Sequence, residues 1–211
     1  MKNLLTLLII GSLLIGCQSP KKESKDSTSK GVSDSTAIND AVINKDSCMN
    51  GIYVKFAHGY NNLIIDNQAY ILEKNILFTQ ILEAKEVNEK IEEAYKKLTD
   101  QTQASIDTVE KLCSFNGNIE FKQSAVELFN FYQTAWKEYK ELVDVKTDKE
   151  RIKIYEKISK RFNEVHSKTE KVLEEKFAKA HTNFSNEYEL HVRATPLKEK
   201  LDSLLYPQPQ K

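Results

Sequence analysis

No proline falls between Pro20 and Pro196, and the 211-residue chain holds only 6 Gly and 4 Pro. Proline locks φ and removes an amide donor, and glycine supplies the left-handed positions of tight turns. A β-sandwich or a doubly wound α/β fold needs a turn signal every ~8–12 residues. A chain this poor in both residues is expected to be all-α, with long helices. Lys+Arg and Asp+Glu number 31 each, so the formal net charge is zero. That balance argues against a nucleic-acid partner held by overall charge. The chain is 40% hydrophobic and 29% charged, the composition of a globular core under a charge-rich surface.

The N-terminus reads as an address. Met1-Lys2-Asn3 is a short basic start, and Leu4 to Ile15 is apolar apart from Thr6, Gly11 and Ser12. The run is shorter than the ~20 apolar residues of a spanning helix and fits the core of a secretory signal. It ends in Leu14-Ile15-Gly16-Cys17, which resembles the lipobox of bacterial lipoproteins. The resemblance implies signal cleavage between Gly16 and Cys17. It also implies lipidation of Cys17 on its sulfur and on the new amine by palmitate-class acyl chains. Each buried CH₂ contributes ~0.8 kcal/mol, and two lipid signals already give a stable membrane anchor. Gln18 lacks the acidic character that retains such lipoproteins at the inner membrane, so the outer membrane is the expected site.

Gln18 to Ser47 is rich in Ser, Lys and Asp and has no aromatic residue. Such composition cannot offset the entropy of ordering, and it predicts a disordered tether with a reach of about 30 Å. The domains expected are therefore a signal peptide over 1–16, the lipidated cysteine and tether over 17–47, a helical domain over 48–205 and a tail over 206–211.

From residue 52 the apolar residues recur at helical spacing. The first stripe is Phe56, Tyr60, Leu63, Asn67, Tyr70, Lys74, Leu77 and Ile81, widened by Tyr53, Ile64, Ile71, Phe78 and Leu82. A turn is expected near Glu83 to Glu86. The second stripe is Val87, Ile91, Ala94, Leu98, Thr102, Ser105, Val109 and Leu112. Phe115-Asn116-Gly117-Asn118 then supplies turn chemistry and an N-cap candidate in Asn118. The third stripe is Phe121, Ala125, Leu128, Tyr132, Ala135, Tyr139 and Leu142, with Phe129, Phe131, Trp136 and Val143 beside it. Thr147 and Glu150 match a capping box. The fourth stripe runs Ile152, Tyr155, Ile158, Phe162, Val165, Thr169, Val172, Phe177, Ala180, Phe184 and Tyr188, with a stop expected toward Pro196. Short connections between long helices predict an antiparallel, up-down-up-down four-helix bundle. Leu197 to Leu205 is a candidate short further helix.

The lipobox, the Ser-rich tether and Phe115-Asn116-Gly117 lead into Phe121-Lys122-x-x-Ala125-x-x-Leu128-x-x-Phe131-Tyr132. This order resembles a family of uncharacterised all-helical surface lipoproteins of double-membraned bacteria. The resemblance implies the fold and the anchor, and brings no catalytic residue.

Linear signs of chemistry are few. The histidines are His58, His166, His181 and His191, and none has Glu three residues earlier, as a di-iron bundle would require. His-Glu-x-x-His, a glycine-rich phosphate loop and a Gly-x-Ser-x-Gly elbow are all missing. His58 and His191 would share one end of the bundle if the first and fourth helices are antiparallel. Tyr132, Trp136, Tyr139, Phe184 and Tyr188 read as core in preference to a ligand groove, because bundle interiors must be filled at near-crystal density. No catalytic residue, metal ligand set or cofactor is expected.

Cys48 and Cys113 form a candidate disulfide in an oxidising compartment. A helical Cys48 would lie ~12 Å beyond the partner position, whereas a disulfide tolerates ~7 Å between Cα atoms. The bridge therefore needs Asn50-Gly51 to turn Cys48 back. The functional expectation is a non-enzymatic, membrane-anchored module that binds a protein or envelope partner. The alternatives are a small-ligand or metal receptor using the bundle core or one end, and an enzyme with a site assembled across helices.

Overall fold

The computed structural model describes Cys48, residues 50–190 and Leu201. The expected signal peptide with Gly16 and Cys17, the tether, His191 and the tail lie outside the described residues. The chain is all-helical with four long helical runs, and among the described residues there is no β-strand. Helix α1 is Ala57–Glu83, α2 is Asn88–Glu110 and α3 is Glu120–Glu138. A short α4, Lys140–Asp144, follows, so the third helix is interrupted at Tyr139, while the stripe residues Tyr139 and Leu142 stay buried. The fourth run is α5, Asp148–Arg161, then a π-helical turn at Phe162–His166, then α6, Ser167–Glu187.

Helix α1 packs on α2, α2 on α3, and α3 on α6. The core is formed by Ile64, Ile71 and Phe78 of α1, Ile91, Leu98 and Val109 of α2, Phe121, Leu128 and Trp136 of α3, and Phe177 and Phe184 of α6. Contacts fix the pairings along the helices. The Ser105 hydroxyl donates to the Asn67 carbonyl over 3.3 Å. The rings of Phe78 and Tyr95 lie 6.0 Å apart, and those of Tyr60 and Phe115 lie 5.5 Å apart. Trp136 Nε1–H donates to Thr102 Oγ1 over 3.1 Å, and that hydroxyl donates on to the Leu98 carbonyl.

The apolar stripes of α2 and α3 are buried nearly as read, with Val87 the exposed exception. Helix α1 departs from its stripe. Its wholly buried hydrophobics include Tyr60 of the stripe and Ile64, Ile71 and Phe78 of the flanking row, while Phe56 and Tyr70 of the stripe and Tyr53 of the flanking row are exposed, Phe56 by 68%. The helix starts only at Ala57, which leaves Tyr53 and Phe56 on the non-helical approach. A second side of α1 is also covered, because Ala69 and Ile76 pack with Leu201.

Two helices stop without the glycine or proline that usually marks a stop. After α1, Lys85 takes φ of 53°, its amide reaches the Leu82 carbonyl, and the Glu86 amide reaches that of Ile81. After α6, Glu189 takes φ of 51°, its amide reaches the Asn186 carbonyl, and the Leu190 amide reaches that of Ser185. Both are Schellman closures with a non-glycine residue in the left-handed position. The fourth run therefore ends at Glu187, well short of Pro196. Thr147 caps α5 as its sequence predicts, accepting from the Glu150 amide at 3.4 Å. Asn118 does not cap α3. Its side-chain amide instead donates to Glu187 over 3.0 Å, and Ile119 occupies the cap position.

Cys48 and Cys113 are bonded, with their Cα atoms 5.6 Å apart. Asn50 adopts φ of 73° and the Gly51 amide donates to the Cys48 carbonyl, which turns the chain back onto the end of α2. A Cβ on Gly51 would lie 2.8 Å from the Lys111 carbonyl oxygen and 2.9 Å from Cys113 Sγ, so only glycine fits. The Ile52 amide and carbonyl then pair with Lys111 and Cys113 beside the bond. With a sequence separation of 65 residues, the cross-link is worth about 4 kcal/mol in the chain-entropy account.

Candidate functional site at the π turn

The fourth apolar stripe contains one irregular step, the five residues from Val172 to Phe177. An α-helix repeats at three or four. The structure explains the step by the extra residue of the π turn at Phe162–His166. Beyond that turn the register shifts by one. His166 and Glu170 take up the inward side, with Leu173 packed against the core, in place of Val165, Thr169 and Val172. Val165 is 57% exposed and Val172 62% exposed, so the reading that placed them in the core is corrected. Ile152 is exposed as well. π turns inside α-helices occur frequently at functional sites.

The turn assembles polar groups against the end of α3. His166 Nε2 lies 2.9 Å from Glu138 Oε1, and Arg161 Nε lies 3.6 Å from the same oxygen. The imidazole is held between two rings, Phe131 at 5.9 Å and Phe162 at 5.5 Å. Glu138 Oε2 is buried with no hydrogen-bond partner among the described residues. The Tyr139 hydroxyl is in the same condition, on a residue only 2% exposed. Burial, reinforced by Tyr155, Glu170 and Glu138, pushes the Tyr139 phenol well above its usual range. Burial and then the neighbouring Glu174 push the Glu170 carboxyl from 4.5 up to about 7. The group is thus a histidine–carboxylate pair, a second carboxyl that titrates near neutrality, and a buried phenol.

This arrangement can hold or exchange protons near neutral pH. Among the described residues no group of three or more His, Cys, Asp or Glu side chains has metal-binding geometry. The other described histidines, His58 and His181, lie apart from it. His58 is exposed at the start of α1. His181 stacks on Phe121 at 5.3 Å, and burial lowers its pKa. Trp136, Tyr132, Tyr139 and Phe184 are buried, which fits their reading as core; Tyr188 is half-buried against it.

A second concentration of polar groups is structural. The Arg151 guanidinium is buried and donates to the Leu142 and Val145 carbonyls at 3.1 and 2.7 Å, and to Asn88 and Asp148 at 2.6 and 3.0 Å. It joins the connection before α5 to the start of α2. Lys122 likewise spends its ammonium on the Glu110 and Leu112 carbonyls at the end of α2.

The sequence offers His166 only as one of four histidines without a di-iron motif and does not connect it with Glu138 or Glu170, because a continuous helix puts His166 and Glu170 on the charged face. The irregular five-residue step was the available signal. No known family model, no curated protein and no solved structure matches this chain.

Proposed function

We propose that this chain is a bacterial lipoprotein, anchored through Cys17 to the outer membrane, whose helical domain is a non-enzymatic interaction module for a protein or polymer of the cell envelope. The observation that carries this reading is the Cys48–Cys113 bond at the base of the domain. Cytosolic thiols stay reduced, so the bond suits an exported chain, as does the lipobox order Leu14-Ile15-Gly16-Cys17. In this reading the four long runs alternate up and down as an antiparallel bundle. Support comes from Asn67 meeting Ser105 while Phe78 meets Tyr95, and from Phe121 meeting Phe184 while Glu138 meets His166.

Metabolic labelling with a fatty acid tests the anchor. Wild-type protein is expected to take up label and Cys17→Ser to take up none; equal labelling of the two refutes it. Protease treatment of intact cells then reports which face of the outer membrane carries the domain.

A second reading, a small-ligand receptor, is favoured by the buried Glu138 oxygen, on the carboxylate beside His166, and by the buried Tyr139 hydroxyl. A screen of small amines by thermal shift tests it, since a ligand at 100 times its Kd adds ~2.7 kcal/mol.

A further inference from the structure

The segment after Phe162 carries two inward-capable faces, and the present register uses one. His166, Glu170 and Leu173 lead on to Phe177, Ala180 and Phe184 at spacings of three and four. Phe162, Val165, Thr169 and Val172 are also spaced three and four, as an unbroken α-helix would present them. One residue of helix separates the two faces, a rotation of about 100°. Which face is inward depends only on where the extra residue sits. At Phe162–His166, where it lies now, it turns His166 and Glu170 inward. Placed between Val172 and Phe177 it would turn Val165, Thr169 and Val172 inward, and the helix would rejoin the same Phe177 face.

We propose that the π turn migrates between these two positions, so that residues 163–172 rotate as a unit and exchange His166 and Glu170 for Val165, Thr169 and Val172 against α3. Each state contains one π turn, so the backbone cost largely cancels. The present state keeps the His166–Glu138 hydrogen bond and leaves two valines in water. The other state covers the valines and returns His166 and Glu170 to solvent, and turns Leu173 outward with them. A two-state element of this kind needs only a small bias to switch.

Protonation supplies the bias. Glu170 faces the Tyr139 phenol at the end of α3 and Glu174 on its own helix, with Glu138 of α3 and Tyr155 of α5 around that phenol. Glu83, at the end of α1, acts on Tyr155. The cation at this edge, Arg161, lies against Glu138. Ionised Glu170 therefore stands among acidic groups, and burial and Glu174 hold its proton up to about pH 7. Raising the pH through that value disfavours the present register and drives the rotation toward the valine face.

Thiol reactivity in the full chain carrying Cys17→Ser tests this. Val172→Cys is compared with Lys171→Cys, a position on the outer side in both registers, so that the ratio of alkylation rates cancels the titration of the thiol itself. From pH 5.5 to 8.5 the ratio is expected to fall at least fivefold, and to stay flat when Glu170→Gln is added. Deleting Asn163 should hold the valine face outward at every pH, and deleting Glu175 should hold it inward. A ratio that stays constant with Glu170 intact overturns the proposal. Amide exchange in the unsubstituted chain gives a second readout. The fast-exchanging defect should move from 162–166 toward 172–177 as the pH rises, after correction for intrinsic exchange. A defect fixed at 162–166 also overturns the proposal.

Discussion

Helix α3 and the fourth run are both long and amphipathic, yet one follows its apolar stripe and the other abandons it. In α3 every stripe residue from Phe121 to Ala135 is buried, with steps of three or four throughout. In the fourth run Ile158, Phe162, Phe177, Ala180 and Phe184 are buried, but Val165 and Val172 between them are exposed. Regular spacing can be satisfied by one rigid helix. A stripe with a five-residue step cannot, and the chain must place an extra residue somewhere. It places that residue at a histidine and brings charged groups inside. The contrast sets an unbroken stripe in α3 against a one-residue register shift in the fourth run.

The largest expected effect lies on the α3 side. Trp136 is 4% exposed, stacks on Tyr132 with ring centroids 5.7 Å apart, and donates to Thr102. Trp136→Ala should cost about 4 kcal/mol, measured as loss of stability in urea. Thr102 keeps a partner in the Leu98 carbonyl, so the loss would come mainly from the cavity. A cost below 1 kcal/mol would mean that α3 is no more tightly packed than the fourth run.

The next effect belongs to the π turn and depends on pH. The folded chain holds the Glu170 proton more tightly than the unfolded chain, with a carboxyl pKa of about 7 against 4.5. Stability from this group is therefore fully present below about pH 4.5 and lost as pH rises through about 7. Glu170→Gln keeps the neutral shape and removes the loss. It should stabilise on the order of 2 kcal/mol at pH 8, allowing for partial exposure, and change little at pH 4.5. Urea titrations at the two pH values check it. Equal effects at both would show that the carboxyl is not strained in this register.

The start of the fourth run is its conventional part. Thr147 accepts from the Glu150 amide, and its hydroxyl donates to the Glu150 carboxylate over 2.7 Å. Thr147→Ala should cost about 1 kcal/mol in the same measurement. A larger loss would mean that the cap also governs the π turn.

These cases show what a sequence makes legible. All-helical character, the cores of α2 and α3, the Thr147 cap and the turn at Asn116-Gly117 follow from spacing and from residues with strong local preferences. Helix α1 was harder, because apolar residues surround it and the helical period does not say which row faces the core. The turn expected near Glu83 to Glu86 is where α1 stops, but the stop at Glu189 was invisible, because neither Lys85 nor Glu189 favours the left-handed region. Tertiary packing imposes it there, against a local cost of roughly 1–2 kcal/mol per residue. The Glu138, His166 and Glu170 cluster was hidden for a related reason. It exists only after a one-residue register shift, and the sequence marks that shift by a spacing and not by a motif.

The smallest expected effect is the most discriminating between the two regions. Val172 is 62% exposed, so Val172→Ala at pH 5.5 removes little buried surface. Alanine also has the better helix propensity, because valine's β-branch loses rotamer freedom on a helix. The two terms nearly offset, and the net change should lie within about 0.5 kcal/mol, with stabilisation the favoured sign. The same substitution at a core position of α3 or α2 would cost more, because two buried methyl groups contribute ~1.6 kcal/mol by transfer alone. At pH 8.5 the expectation changes if the valine face has turned inward: Val172→Ala should then cost at least ~1 kcal/mol. Urea unfolding of this one variant at the two pH values thus compares the fourth run with itself. A null effect at both values would leave Val172 a surface residue in every state and confine the π turn to Phe162–His166.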